Sequence, residues 1–114
     1  MIDTTNKSII SKSWYAIYVK SRHEKCVHDE LKEKGTKSSL PLIPVIHRWS
    51  DRKKKLTVPL FRGYVFVNID IHNERLNVLK TNGVVKFVSF AKGIIAIPEK
   101  QMYWLDRLAA TSNV

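Results

Sequence analysis

Apolar residues along this chain fall mostly in short alternating runs, interrupted by stretches in which they recur three or four apart. The first pattern predicts half-buried strands and the second amphipathic helices. Trp14 to Val19 is aromatic or β-branched at every position but Ala16, which predicts a first strand. Ser21-Arg22-His23-Glu24 has capping-box spacing, so a helix is expected from there, with Ser21 as its cap and Gly35 at its end. Its apolar stripe is narrow, Val27 and Leu31 with Cys26 beside them, and predicts packing on one side only. Leu40 to Trp49 reads as extended, and Pro41 and Pro44 suit an edge or bulged strand. Ser50 to Lys54 is polar enough for a hairpin tip. Leu56 to Leu60 and Gly63 to Ile69 are the next two strands, separated by a bend at Phe61-Arg62-Gly63.

The strand from Gly63 has two unlike faces, because side chains alternate. Val65, Val67 and Ile69 form an aliphatic face; Tyr64, Phe66 and Asn68 form the other. A second helix is expected from Asn73 to Asn82, with Leu76 and Leu79 three apart and Gly83 at its end. Val84 to Ala91 reads as a strand, and a turn at Lys92-Gly93 leads to Ile94 to Ile97. Pro98 opens a last helix, with Met102, Leu105 and Leu108 on one face. This order predicts an α+β fold, a mostly antiparallel central sheet flanked by about three helices. The domain is expected over residues 13–108, with short tails at 1–12 and 109–114.

Composition narrows the possibilities. The 114 residues suit one domain. A hydrophobic content of 44% argues against a disordered basic tail. No apolar run approaches the roughly 20 residues of a membrane span, and the first dozen residues lack a signal-peptide pattern. A single cysteine excludes a disulfide scaffold and fits a cytoplasmic location, with Cys26 expected as a small half-buried hydrophobe. Twenty Lys and Arg against 10 Asp and Glu leave a net charge of +10, which attracts polyanions. Arg48, Arg52, Lys53, Lys54 and Lys55 crowd one segment, opposed only by Asp51; they read either as a solvated loop or as part of a nucleic-acid footprint. No phosphate loop, HExxH, GxSxG or GxGxxG occurs, so no enzyme is expected. His23 and Cys26 lie three apart, too few for a structural metal site, and neither metal nor cofactor is expected.

Arg62-Gly63-Tyr64-Val65-Phe66-Val67 carries the most information. It approximates the RNP1 pattern of an RNA-recognition motif, whose strand aromatics stack bases. Val65 departs from that pattern where Gly or Ala belongs, and Ile69 where an aromatic belongs. Tyr64 and Phe66 also fit ordinary packing on the second sheet face. A broader likeness runs through Trp14-Tyr15-Ala16-Ile17-Tyr18-Val19-Lys20, Ser21-Arg22-His23-Glu24-Lys25, Pro59-Leu60-Phe61-Arg62-Gly63-Tyr64-Val65-Phe66-Val67, Asn82-Gly83-Val84-Val85-Lys86-Phe87-Val88 and Ile97-Pro98. In order and spacing these resemble the N-terminal domain of the NusG family of transcription elongation factors. The Arg48 to Lys54 segment and the Arg-His-Glu-Lys helix start look most like its UpxY- and RfaH-type specialised antiterminators.

The resemblance implies a monomeric, non-catalytic domain that binds the clamp helices of the RNA polymerase β′ subunit and suppresses pausing or termination. The UpxY likeness implies surface-polysaccharide operons as targets. Phe61, Tyr64 and Phe66 match the clamp-helix motif, with Val84 and Phe87 nearby. Arg62 stands where the family usually has proline. Glu74, Arg75 and Leu76 match the segment that touches the β-subunit gate loop. Lys20, Arg22 and His23 are implied to lie near non-template DNA, and Arg52, Lys53 and Lys54 near upstream DNA. Nothing after Leu108 resembles the family's linker and C-terminal KOW domain.

Overall fold

The computed structural model describes residues 12–48 and 52–111. In chain order the elements are β1 (Ser13–Val19), α1 (Glu24–Glu33), β2 (Lys37–Ser39), β3 (Leu42–Arg48), β4 (Lys53–Pro59), β5 (Tyr64–Ile69), α2 (Ile71–Leu79), β6 (Val84–Phe87) and α3 (Glu99–Thr111). The α+β expectation holds. A four-stranded sheet has the order β2-β5-β1-β6, antiparallel throughout, while β3 and β4 form a separate two-stranded ribbon.

Register decides which side chains meet. Tyr15 opposes Val67 and Ile17 opposes Val65, whereas Ala16 opposes Phe66 and Tyr18 opposes Tyr64. The first set points to the helices. Ile17, Val65, Val67 and Ile69 are fully buried there with Val27 and Leu31 of α1 and Val78 of α2. Each such side chain contributes roughly 1.5–3 kcal/mol by leaving water. On the opposite face α3 covers a smaller cluster of Trp14, Phe66 and Met102, with Ala16, Ile97 and Leu105 at its margin.

Several local expectations are corrected. No capping box forms at α1. His23 occupies the cap position without a side-chain bond to the helix, and its Nδ1–H donates to the Ser21 carbonyl at 2.9 Å. Glu24 instead turns inward and accepts from the Gly63 N–H at 2.7 Å. The helix does stop at Gly35, whose φ of 85° admits a Schellman ending: Gly35 N–H bonds the Lys32 carbonyl and Thr36 N–H the Leu31 carbonyl. Cys26 is exposed, not half-buried, because it lies off the Val27–Leu31 stripe. Helix α2 starts earlier than expected, at Ile71, where Asp70 accepts from His72 N–H at 3.1 Å and Glu74 accepts from Asp70 N–H at 3.0 Å. Its anchor is Val78; Leu76 is 69% exposed. Strand β6 ends at Phe87, and the segment after it pairs only through single bridges, Phe90 with Gly93 and Trp14 with Ile97. Strand β4 begins at Lys53, so Lys53 and Lys54 belong to a strand, with Arg52 just before it; residues 50–51 of the expected tip lie outside the described residues. Helix α3 runs to Thr111, past the expected boundary at 108, and Leu108 is 53% exposed.

Candidate functional site

Helix α3 covers only part of the second sheet face, and the remainder is aromatic. Tyr18 of β1 and Tyr64 of β5 stand opposite each other, ring centroids 5.0 Å apart and planes tilted by 43°. The Lys86 ammonium lies 5.5 Å from the centre of the Tyr18 ring, a cation–π contact across the β1–β6 pairing. Phe61 lies partly exposed in the turn before β5, its ring edge-on to Phe66 at 6.0 Å. A side-chain hydrogen bond with Tyr18, followed by desolvation, holds the Tyr64 hydroxyl above the usual phenol range.

The turn that presents Phe61 and Tyr64 is fixed from three sides. Gly63 adopts φ 82°, a conformation in which a side chain would be strained. Its carbonyl accepts from Val19 N–H at 2.9 Å, its N–H is held by Glu24, and Tyr64 N–H bonds the Phe61 carbonyl at 3.3 Å. Glu24 is 6% exposed and thereby ties the start of α1 to the aromatic turn.

Of the residues matched to clamp-helix binding, only Phe61 and Tyr64 share this open surface. Phe66 is buried at its edge beneath α3. Phe87 is 4% exposed and turns into the main core, edge-on to Tyr15, because it pairs with the inward-facing Ile17. Val84 packs against the same core; a register shift between Tyr18 and Val19 sets its parity. Sequence reasoning passed over Tyr18 and Lys86, although the even-numbered alternation of β1 placed Tyr18 beside any exposed tyrosine of a paired strand.

The basic residues gather elsewhere. Lys20, Arg22 and His23 are exposed in the β1–α1 turn, closed by His23 N–H bonding the Lys20 carbonyl at 2.9 Å. Arg22 has φ 66°, the single non-glycine residue of positive φ described. This turn forms one wall of an open cleft of about 660 Å³, whose far wall is β4 and whose floor includes Val19 and Gly63. Lys25 crosses it, donating to the Thr57 carbonyl at 2.9 Å. Arg52, Lys53 and Lys54 are exposed at the outer end of the ribbon, where alternation places Lys53 and Lys54 on opposite faces. On α2, Glu74 is engaged by its cap bond and by Lys12 at 3.7 Å, while Arg75 and Leu76 are exposed on the helical side of the sheet, away from the tyrosines.

Among the described residues no group of His, Cys, Asp and Glu could hold a metal ion, and no helix is long and apolar enough to cross a membrane. Residues 12–105 match the family model described as "Transcription termination factor nusG". Among solved structures, the chain is similar to that of "Domain interaction in Thermotoga maritima NusG", with 27% identity and a TM-score of 0.55. The match covers 89% of this chain and 59% of that one, so the chain spans less than two thirds of that relative.

Proposed function

The chain belongs to the NusG family, one of non-enzymatic transcription factors, and on that premise we propose that it binds RNA polymerase through the Tyr18, Tyr64 and Phe61 surface and acts as an elongation or antitermination factor. The observation that carries this reading is an open aromatic surface on an otherwise filled sheet. A helix pair laid on such a surface is a recurring mode of recognition, and aromatic anchors with a neighbouring cation commonly supply most of the affinity. We assign the β′ clamp helices as that pair. Arg75 and Leu76 are candidates for the β gate loop, and Lys20, Arg22, His23 and the ribbon lysines for DNA held by the polymerase, through salt-sensitive phosphate contacts. The basic ribbon and the Arg-His-Glu-Lys helix start favour a UpxY- or RfaH-type factor, serving surface-polysaccharide operons.

A stacking platform for RNA is less favoured, because burial of Phe66 under α3 removes one of the two aromatics it needs. The test is retention of the purified chain on an immobilised β′ clamp-helix fragment, with a single-stranded RNA oligomer as control. Retention without RNA affinity supports the proposal; RNA affinity without retention overturns it.

A further inference from the structure

Helix α3 seats one face on the sheet through Met102, with Leu105 beside it, and turns the opposite face to solvent. Lys100, Tyr103, Trp104, Arg107 and Leu108 recur three and four apart and so share that outer face. A solvated face would be polar, but Tyr103, Trp104 and Leu108 are each more than half exposed, at 55%, 56% and 53%. The two aromatics present roughly 100 Å² each. Their rings meet edge to face with centroids 5.9 Å apart and form one surface. None of the contacts assigned above uses these side chains.

The stripe is both ordered and cationic. Arg107 donates from Nη1 to the Tyr103 hydroxyl at 3.1 Å and lies 5.5 Å from the centre of that ring, which fixes the guanidinium against the aromatic pair. Lys100, one turn before Tyr103, is exposed and has no salt bridge among the described residues. These two cations, seven residues apart, are separated by roughly 10.5 Å along the helix, with the aromatic pair between them. Asp106 lies off the stripe and accepts from Ser39 Oγ at 3.4 Å. A second copy is a poor occupant. The chain carries a net charge of +10, and α3 paired antiparallel about the Tyr103–Trp104 midpoint would set each Lys100 against the opposite Arg107. The exposed aromatics also fall well short of the roughly 800 Å² per partner of a stable dimer. A stacked base is disfavoured because Arg107 covers one face of the Tyr103 ring.

We propose that the outer face of α3 docks an acidic amphipathic helix of a partner protein. Apolar side chains of that helix pack on Tyr103, Trp104 and Leu108, and carboxylates two turns apart meet Lys100 and Arg107. Complementary charge sets the register and speeds encounter, while the aromatic pair supplies most of the affinity. The site is on the side of α3 that faces away from the sheet, and it does not depend on polymerase binding, so either reading can fail without the other.

The experiment is fluorescence anisotropy of the 114-residue chain with a labelled peptide of Leu, Ala and Glu. The peptide has about 18 residues, enough to hold a helix, with Leu three and four apart on one face and Glu seven apart beside them. Saturable binding is expected. Trp104→Ala weakens it about tenfold, and Lys100→Gln and Arg107→Gln about threefold each. Trp104→Phe and Lys92→Gln, the latter in the Phe90–Gly93 turn, change it little. A peptide with Lys in place of every Glu does not bind. The proposal is overturned by absence of saturable binding to the wild type, by equal losses in Trp104→Ala and Lys92→Gln, or by equal affinity for the Lys peptide. A dimer in sedimentation equilibrium that Trp104→Ala abolishes assigns the face to a second copy and overturns it as well. So does a single-stranded DNA oligomer whose affinity falls as far as the peptide's in Trp104→Ala, which assigns the face to nucleic acid. Circular dichroism checks folding, and should Trp104→Ala unfold, the Lys100 and Arg107 variants decide alone.

Discussion

Tyr18 and Tyr64 lie directly across the β1–β5 pairing with their rings 5.0 Å apart, and Lys86 reaches over the Tyr18 ring from β6. Three neighbouring strands thus contribute one side chain each to a single patch. Because sheet geometry fixes all three, the patch is formed before any partner arrives, and little ordering entropy is lost on binding. Tyr64→Ala is expected to weaken binding to the β′ clamp-helix fragment by about 2 kcal/mol or more. Unfolding free energy is expected to fall by about 1 kcal/mol, the worth of an exposed aromatic pair. Isothermal calorimetry and urea denaturation measure the two; unchanged affinity rules the patch out as the anchor.

Glu24 links two surfaces through one hydrogen bond. Its carboxylate is buried and accepts from Gly63 N–H at 2.7 Å, so Glu24→Ala leaves a shielded donor without a partner. The expected loss of stability is about 1–3 kcal/mol. Glu24→Gln keeps an acceptor and is expected to retain most of it. If the bond also positions the aromatic turn, clamp-helix affinity falls in Glu24→Ala and recovers in Glu24→Gln, a pattern that a purely global loss of stability would not give.

Gly83 is confined by both backbone and space. It has φ 99°, and a Cβ there would come within 2.8 Å of Val27 Cγ2 and 3.3 Å of His23 Cβ. Gly83→Ala is expected to cost about 2–4 kcal/mol, combining left-handed strain with overpacking. Gly35→Ala, at φ 85° with open space around it, carries the strain alone, about 1–2 kcal/mol. Equal midpoints in parallel denaturant titrations of the two variants would refute the close approach to Val27.

His28 provides the pH dependence. Burial, then the charge of Lys32, lowers its pKa below the ordinary 6.5, with Asp29 opposing, while Nδ1 lies 2.6 Å from Ser38 Oγ. The folded state therefore disfavours the imidazolium, and the unfolded chain takes up the proton first. Stability associated with neutral His28 is fully present above pH 6.5 and declines as pH falls from there through the lowered native value. Melting temperatures between pH 7.5 and pH 5 are expected to drop less in His28→Gln than in wild type. Superimposable profiles would exclude His28 as the titrating group.

Strand faces were the most legible part of the sequence. Val65, Val67 and Ile69 alternate with Tyr64, Phe66 and Asn68, and the period alone separates core from second face. What period could not give was which part of that second face α3 would cover, because Phe66 and Tyr64 are equivalent until Met102 settles over one of them. The Ser21–Glu24 spacing satisfied a local template, yet Glu24 found a better donor in Gly63, distant in sequence and adjacent in space. The cap of α2 went unseen for the opposite reason: Glu74 lies four residues beyond Asp70, where the template expects three. Lys37–Ser39 carries no apolar signal and is a strand solely because β5 offers it an edge. Phe87 and Lys86 took their faces from pairing with Ile17 and Tyr18, and Val84 from the register shift beyond them, none of which a single-strand pattern encodes.

The ribbon of β3 and β4 hydrogen-bonds within itself and not to the four-stranded sheet. Leu60 N–H bonded to the Pro41 carbonyl at 2.8 Å closes its base, and Lys25, donating to the Thr57 carbonyl at 2.9 Å, links it to α1. An element attached in this way opens at a lower free energy than the whole molecule. Amide protons of the ribbon are therefore expected to exchange with solvent through local opening, and those of β1 and β5 only through global unfolding, which native-state hydrogen exchange measures. A ribbon paired only with itself is thus expected to melt and reform while the aromatic patch keeps its shape.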